Sequence, residues 1–339
     1  FEMLHLYKAK ATLSDYFDLN RRYCKTTDTL LFADGKVEFD VIPSCWIKGI
    51  SDQLPQIAFT PIDTLISDIE LSAIASFLAI DITKLYSDLE RLFGIRITSG
   101  EDASELIQQE RYKRFNKLID ERFSKEILID LFSKFESRND DSIRQIVTNN
   151  ADIPTIFEYV LGIAWFVISG RKGRVLEFMN LSLEADLLPR THAQGGNADI
   201  EYHYPKTSEY PAHCLLIEAT LADSTNQRRM EMEPVSRHLG DYILSTGDEN
   251  AYCVFVSTYL HRNVISDFCN RKTYQYYGKN DNFVDGLKIL PLATAEIKAI
   301  LQKGIDYNHL YSLFEEAYQN NVNPAEWYEE YIFNQINMN

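Results

Sequence analysis

The fold is decided by the segment Asn197-Ala-Asp-Ile-Glu-Tyr-His-Tyr204 and, after a turn, by the segment Cys214-Leu-Leu-Ile-Glu-Ala-Thr220. Alternation in the first and the apolar run in the second are typical of strands, which we place at residues 198–204 and 214–220. If the strands pair antiparallel and the turn centres between residues 208 and 209, Asp199 lies opposite Glu218. Two acidic side chains then face each other on neighbouring strands.

Facing carboxylates in an apolar strand indicate a metal ion. They repel each other and lose hydration, and they persist mainly where a divalent cation lies between them. The alternative is a solvated surface pair, which residues 215–217 disfavour because an unpaired charge in such an apolar run is costly. We therefore expect Asp199 and Glu218 to be metal ligands, with the backbone carbonyl of Ala219 as a further oxygen donor.

Two other acidic residues are candidates for the same site. Glu177 follows the helix predicted at 153–169, and by itself it is also compatible with an ordinary helix surface. If its segment is helical, Glu231 shares a face with Gln227 and His238. The alternative for Glu231 is a solvated first turn, where acidic residues favour the helix N-terminus.

The facing pair Asp199 and Glu218 is the arrangement of metal ligands in a nuclease of the PD-(D/E)XK type. Thr220, the residue after Ala219, stands where that motif usually has a lysine. Threonine supplies no positive charge. We expect Glu231 acting through a water, or Arg228 or Arg229, to take over the orientation or deprotonation of the attacking water.

The loop at 189–197 leads directly into Asp199. Arg190 and His192 are candidates for contacts with a phosphate, and Gly195-Gly196 would let the backbone approach a ligand closely. The alternative is a flexible glycine loop with an incidental histidine.

The first part of the chain predicts a helix at 3–20 and a hairpin, with strands at 29–33 and 36–41 around Asp34-Gly35. A helix followed by a hairpin is how a winged-helix module ends, and a small α+β cap without a DNA role is the alternative. We divide the chain into a winged-helix-like remnant at 1–60, a helical linker at 61–150 and a nuclease domain at 151–339.

Helical periodicity fills the middle of the chain, and helices alternate with strands after it. The middle helices are predicted at 62–80, 82–93, 103–124, 125–136 and 140–148. The later helices are predicted at 153–169, 229–246, 261–272, 293–303, 307–320 and 324–337, with further strands at 251–257 and 287–291. The pattern predicts an α/β fold, a mixed sheet flanked by helices.

Composition limits the classes of function. The 339 residues carry a net charge of −16, which is unusual for a protein that holds DNA alone. Five dispersed cysteines without a CxxC pair indicate a reducing cytoplasm. No apolar run reaches the ~20 residues that span a bilayer, so we expect no membrane association. Because the first residue is Phe, we expect the chain to be part of a longer protein.

Four blocks together resemble the AlwI family of type IIS restriction endonucleases, which includes site-specific nicking enzymes. They are Val175-Leu-Glu177, Thr191-His-Ala-Gln-Gly-Gly-Asn-Ala-Asp199, Glu218-Ala-Thr220 and Met230-Glu-Met-Glu-Pro-Val-Ser-Arg-His238. Their order and spacing, rather than any single block, carry the resemblance, which covers about residues 153–257.

The resemblance implies a PD-(D/E)XK catalytic domain with an acidic cluster at Glu177, Asp199, Glu218 and Glu231, and it implies that threonine is tolerated in place of the lysine. It also implies Mg²⁺ as cofactor, with Mn²⁺ as a substitute, and double-stranded DNA as substrate in a prokaryotic cytoplasm. Most of the upstream recognition region would be absent. Cleavage of both strands would need a dimer or a second nuclease subunit.

Two other classes of function stay open on the sequence. The charge of −16 suits a non-catalytic acidic module that binds a protein partner or mimics DNA. A PD-(D/E)XK nuclease of a repair pathway or of another phage-defence pathway would carry the same acidic residues.

Overall fold

The computed structural model describes residues 2–26, 29–33, 36–57, 70–184, 186–192, 196–222 and 224–338. It divides into two compact units, Phe1–Lys117 with Ala185–Leu187, and Leu118–Glu184 with Leu188–Asn339. Over the described ranges, none of the helices has the length and apolar character needed to cross a bilayer.

The first unit is built from helices and one hairpin. Its elements are α1 (Glu2–Thr26), β1 (Leu30–Ala33), β2 (Lys36–Phe39), α2 (Val41–Ile50), α3 (Leu71–Ile74), α4 (Ile82–Phe93) and most of α5 (Gly100–Arg122), with short 3-10 turns at Leu54–Ile57 and Ser76–Leu78. The helix predicted at 82–93 is confirmed. Residues 62–69 lie outside the described ranges, and beyond them only α3 and a 3-10 turn occupy the segment predicted as helix up to residue 80.

The predicted hairpin is confirmed by its strand pairing, which places Leu30 opposite Phe39. Its turn at Asp34-Gly35 lies outside the described residues. The second strand ends at Phe39 rather than at residue 41, because the Asp40 carboxylate accepts the Val41 N–H at 2.7 Å and starts α2. Assignment of residues 1–60 to a winged-helix remnant and of 61–150 to a linker stays a prediction.

The second unit combines a sheet with helices. Its helices are α6 (Lys125–Glu136), α7 (Asp140–Ile146), α8 (Ile153–Ile168), α9 (Val175–Phe178), α10 (Ser224–Met230), α11 (Met232–Thr246), α12 (Arg262–Arg271), α13 (Thr294–Lys303), α14 (Tyr307–Gln319), α15 (Pro324–Tyr328) and α16 (Asn334–Met338). A π-helical turn, Glu329–Phe333, joins the last two. The predicted helices of this part are confirmed within a few residues, except at 229–246 and in the π-helical interruption.

Helix α8 is apolar around its whole circumference and is buried along most of its length. It starts where the Asp152 carboxylate accepts the Thr155 N–H at 2.9 Å, and Pro154 occupies the first turn, where its missing N–H is harmless. The single charged residue of this helix is Glu158, which is itself buried.

The sheet has the strand order β10-β7-β6-β5. Its strands are β5 (Ile200–Tyr204), β6 (His213–Thr220), β7 (Tyr252–Ser257) and β10 (Ile289–Ala293). β5 and β6 pair antiparallel, whereas β6, β7 and β10 are mutually parallel neighbours. Every residue of β7 is buried, as expected for a strand with parallel neighbours on both sides. The mixed α/β sheet flanked by helices, predicted from sequence, is confirmed.

The predicted helix at 229–246 is wrong at its start, because two helices, α10 and α11, meet at Glu231. Pro234 explains the break. A proline ring collides with the carbonyl four residues earlier, here that of Met230, so α10 ends there and a new helix begins with Pro234 in its first turn. The break lies at Glu231, which the sequence predicts as a residue of the acidic cluster.

Two short hairpins were not predicted from sequence. One joins β3 (Leu181–Leu183) to β4 (Pro189–His192), and the other joins β8 (Gln275–Tyr277) to β9 (Phe283–Asp285). Their strands are three or four residues long and mostly half-buried or exposed. Such strands carry too little alternation to be recognised.

Replacing Gly240 tests the packing of α11 against the second hairpin. A Cβ atom at Gly240 would lie 2.2 Å from the ring of Tyr276, whose hydroxyl donates to Asp241 at 2.7 Å. We expect Gly240→Ala to lower the free energy of unfolding by about 1–3 kcal/mol in urea titrations. Gly49→Ala in α2, where nothing lies within 4 Å, is the control and should be neutral or stabilising by up to ~1 kcal/mol. Equal stability of Gly240→Ala and the parent would contradict this packing.

Candidate active site

The site begins at the antiparallel pair β5–β6. Ile200 pairs with Ile217, so one step further along the same register Asp199 lies opposite Glu218, as the sequence predicts. Asp199 directly precedes β5, and its Oδ2 accepts the N–H of Ala219 at 2.7 Å. Its carbonyl oxygen accepts the N–H of Asn180 at 2.8 Å. Both ends of the residue are therefore fixed by backbone donors.

A third carboxylate, Glu158, comes from α8. Burial raises the pKa of Glu158 to about 8, and the charges of Asp152 and Glu218 add to the effect. No hydrogen bond to the Glu158 carboxylate is found among the described residues. A charged group in this position is unfavourable unless a cation compensates it.

Three side chains from α10, α11 and their junction form hydrogen bonds with strand residues. The Thr220 hydroxyl donates to Glu231 Oε1 at 2.8 Å, and His238 Nδ1 lies 2.7 Å from Glu218 Oε1. Gln227, on the preceding helix α10, is buried and donates to Ser257 at 3.0 Å. The predicted face with Gln227, Glu231 and His238 therefore turns towards the strands and not to solvent.

Burial and mutual repulsion govern the protonation of these groups. Burial raises the pKa of Asp199, and the charges of Glu218 and Glu158 raise it further. Burial likewise raises the pKa of Glu218, although the hydrogen bond from His238 opposes this shift. Burial also raises the pKa of Glu231, and the hydrogen bond from Thr220 opposes it. Four carboxyl groups are thus held where ionisation is unfavourable.

We call Glu158, Asp199, Glu218 and Glu231 the acidic cluster. Among the described residues, no three His, Cys, Asp or Glu side chains converge closely enough to form a complete metal-binding group. The carboxylates of the cluster raise one another's pKa, as like charges do at close range. Buried oxygen donors with an unfavourable charge fit a hard divalent ion such as Mg²⁺ or Mn²⁺.

Comparison with known families agrees with this geometry. The model of the family described as AlwI restriction endonuclease matches residues 3–300. The chain belongs to the AlwI restriction endonuclease family. The resemblance stated from its sequence blocks is thereby confirmed.

This AlwI-family chain was also compared with curated proteins and with solved structures. No curated protein matches it. Among solved structures, a match is the small subunit (R.BspD6I2) of the heterodimeric restriction endonuclease R.BspD6I, with 18% sequence identity and a TM-score of 0.43. The match covers 61% of this chain and 96% of that subunit.

Glu177 lies apart from the acidic cluster of this family member. It is exposed on α9, its Oε2 is 3.6 Å from Arg174 Nη1, and it lines a separate cavity of about 200 Å³ with Asn180, Glu201 and His203. The charges that raise the pKa of Asp199 come from Glu218, Glu158 and Glu231. The structure therefore brings Glu158 towards the facing pair, and the role of Glu177 as a ligand stays a prediction.

Arg190 and His192, the predicted phosphate contacts, both lie close to other residues of the chain. Arg190 Nη1 donates to the carbonyl of Asn150 at 3.2 Å, and its Nε lies 3.6 Å from Glu184. His192 is exposed, with Nδ1 3.4 Å from Thr155 Oγ1 in the first turn of α8.

Arg228 and Arg229 are exposed on α10, one turn before Glu231. Gly195 lies outside the described residues. The role of each in phosphate binding stays a prediction.

The sequence contained a signal for Glu158 that spacing alone did not use. A single carboxylate in a helix that is otherwise apolar on every side is costly unless it has a function. His238 was recognised only as a member of the Glu231 face. Its partner Glu218 emerges from the packing of α11 on β6.

The pKa of Glu158 predicts a pH-dependent stability of the metal-free protein. Its folded-state pKa of about 8 lies above the ordinary 4.5, so stability falls as pH rises between these values. Glu158→Gln removes this loss. We expect the variant to gain a few kcal/mol over the parent between pH 5 and pH 8.5, at about 1.4 kcal/mol per pKa unit, in urea unfolding with EDTA.

The matched control is Glu177→Gln, since this exposed carboxylate lies outside the cluster. Its stability difference from the parent should be the same at both pH values. A Glu158→Gln difference that does not change with pH would contradict the burial of an uncompensated carboxylate.

Proposed function

We propose that the chain is a Mg²⁺-dependent endonuclease that hydrolyses phosphodiester bonds of duplex DNA, with Mn²⁺ as an alternative ion. The observation that carries the proposal is the facing pair Asp199 and Glu218, with Glu158 directed at it from α8. Membership of the AlwI restriction endonuclease family supports the same reaction.

Asp199, Glu218 and Glu158 are the residues that would hold the cation. Each presents carboxylate oxygen, and each has a pKa raised by burial, so a cation relieves an unfavourable charge at all three. When bound, Mg²⁺ supplies positive charge to the phosphate and lowers the pKa of a water. Glu177, which the sequence also places in this set, is paired with Arg174 at the surface, and its role as a ligand stays a prediction.

Thr220 and Glu231 occupy the place of the missing lysine. The Thr220 hydroxyl donates to one oxygen of Glu231 and so orients that carboxylate. Glu231, whose pKa burial raises, is suited to accept a proton from the attacking water near neutral pH. This replaces the charge of a lysine by a carboxylate base.

His238 is a positioning residue for Glu218. Its Nδ1 bonds one carboxylate oxygen at 2.7 Å, and the other oxygen of Glu218 stays available to a cation. Such an outer partner orients a ligand and tunes its basicity.

We further propose that the sheet is the core of a PD-(D/E)XK nuclease and that cleavage occurs beside a short asymmetric site, in the type IIS or nicking manner. Recognition would lie with a winged-helix region upstream, and a dimer or a second subunit would be needed to cut both strands. The setting of such an enzyme is a prokaryotic cytoplasm. These finer assignments rest on the sequence blocks that resemble the family.

The charge of −16 favours a second candidate, an acidic module that binds a protein partner or mimics DNA. Calorimetric titration with Mg²⁺ and Mn²⁺ separates the two. The nuclease requires ion binding that depends on Asp199, whereas the module requires none. A nuclease of a repair or other phage-defence pathway would be distinguished by a preference for branched or single-stranded substrates.

Asp199→Asn tests the nuclease directly. We expect the parent to nick or linearise supercoiled plasmid only with Mg²⁺ or Mn²⁺, and the variant to lose at least about 100-fold in rate, because one of the facing charges is removed. Gel separation of the nicked, linear and supercoiled forms shows whether one strand or both strands are cut.

Two controls accompany that assay. The circular dichroism spectrum of Asp199→Asn should match the parent, and Glu177→Gln should keep most of the activity. Full activity of Asp199→Asn would refute the assignment of this residue, and loss of activity in Glu177→Gln alone would return Glu177 to the site in place of Glu158.

A further inference from the structure

A basic loop connects α8 to α9. Its sequence is Gly170-Arg-Lys-Gly-Arg174, so three of five residues carry positive charge in a chain whose net charge is −16. All five residues are exposed. The loop is thus a local concentration of positive charge on the unit that holds the acidic cluster.

The backbone holds this loop in a fixed shape. Gly170, Arg171 and Gly173 have φ of 66°, 57° and 90°, in the left-handed region. The N–H of Arg171 donates to the carbonyl of Phe166 at 2.8 Å, and the Tyr202 hydroxyl donates to the carbonyl of Lys172. The loop is therefore tied both to the end of α8 and to strand β5.

Gly173 is required where it lies. A Cβ atom there would meet the ring of Phe178 at 3.1 Å and that of Tyr202 at 3.2 Å, and the positive φ already favours glycine. Because the backbone packs this closely on β5, the neighbouring cations have a defined position relative to the strand.

Two of the three cations of the loop form ion pairs at the surface. Arg171 lies 2.7 Å from Asp120 and Arg174 lies 3.6 Å from Glu177, both as exposed pairs that are easily exchanged for another anion. Lys172 makes no side-chain ion pair within the part of the chain that the structure describes. Because both ion pairs are exposed, an incoming phosphate can exchange with their carboxylates.

The distance from the acidic cluster follows from β5 and α8, the two elements to which the loop is tied. Tyr202 is three residues beyond Asp199, which is about 10 Å along a strand. Gly170 is twelve residues beyond Glu158, which is about 18 Å along a helix. One DNA strand carries a phosphate every 3.4 Å of helix axis, so this distance corresponds to about three to five nucleotides.

We propose that the loop Gly170–Arg174 binds the phosphate backbone of the DNA about three to five nucleotides from the bond that is cut. The inference rests on the proposed nuclease function and adds a surface that positions the duplex. It also accounts for how an acidic chain holds a polyanion, because a few fixed cations beside the site act over a Debye length of about 10 Å.

The test combines binding and cleavage with the double variant Lys172→Gln/Arg174→Gln. In the Asp199→Asn background, fluorescence anisotropy with a 30-base-pair duplex gives the dependence of affinity on salt. Each lost phosphate contact lowers the slope of log K against log salt by about 0.9. We expect the slope to fall by 1 to 2 and the affinity at low salt to fall roughly 3- to 10-fold.

Cleavage provides an independent readout. With Asp199 intact, the double variant should raise KM by a similar factor while kcat at saturating DNA stays unchanged, since the loop does not touch the reacting atoms. Lys172→Glu should weaken binding further. The control is Lys279→Gln, an exposed lysine in the turn before β9, which should leave slope and KM unchanged.

The outcomes separate the two proposals. If the parent cleaves DNA and the double variant keeps the slope and KM of the parent, the loop inference is overturned and the nuclease stands. If Lys279→Gln has the same effect as the double variant, the effect is one of general charge and the loop inference is also overturned. If the parent neither binds nor cleaves DNA in the presence of Mg²⁺ or Mn²⁺, both proposals fail.

Discussion

The repulsion between Asp199 and Glu218 is the constraint on which the rest of the site depends. Their opposition follows from the register of β5 and β6, which cannot shift by one residue without exposing the apolar side of the sheet. Burial then raises the pKa of both groups. Nothing in a purely structural role would favour two such groups in this position.

The surrounding helices add to the repulsion between the buried carboxylates instead of relieving it. Glu158 adds a third carboxylate from α8, whose other residues are uncharged. The hydrogen bonds from His238 and Thr220 orient Glu218 and Glu231, yet burial keeps the pKa of both carboxyls raised. A cation bound between these carboxylates would relieve this unfavourable free energy.

The charge of the whole chain and the charge near the site must be considered separately. A net charge of −16 opposes long-range attraction of DNA, whereas local cations act at close range. The basic loop after α8 and the arginines of α10 lie on the same unit as the acidic cluster. Acidic composition is thus compatible with a nucleic-acid substrate when such groups can reach phosphates near the bond that is cut.

Much of the fold could be predicted from the sequence because its apolar residues recur with a strong period. Continuous apolar strands and amphipathic helices gave bounds close to those of β6, β7, α4 and α6. The break at Glu231 was missed because Pro234 was treated as part of one helix, although a proline three residues into a helix is a start signal. The short hairpins have too few residues to show a period.

The site was predictable only where a local pattern sets it. Asp199 and Glu218 follow from strand register, and Glu231 from helix spacing. Glu158 lies some 40 residues before Asp199 on another element, and only tertiary packing brings it near. The order of the sequence blocks indicates Glu177 instead, which in the structure lies on α9 beside Arg174.

The most direct test of the central claim is an anomalous difference map from crystals of the protein grown with Mn²⁺. We expect a peak between Asp199 and Glu218, about 2.0–2.4 Å from carboxylate oxygens of both and within reach of Glu158. A strong peak beside Glu177 and Glu201, with none between Asp199 and Glu218, would contradict it.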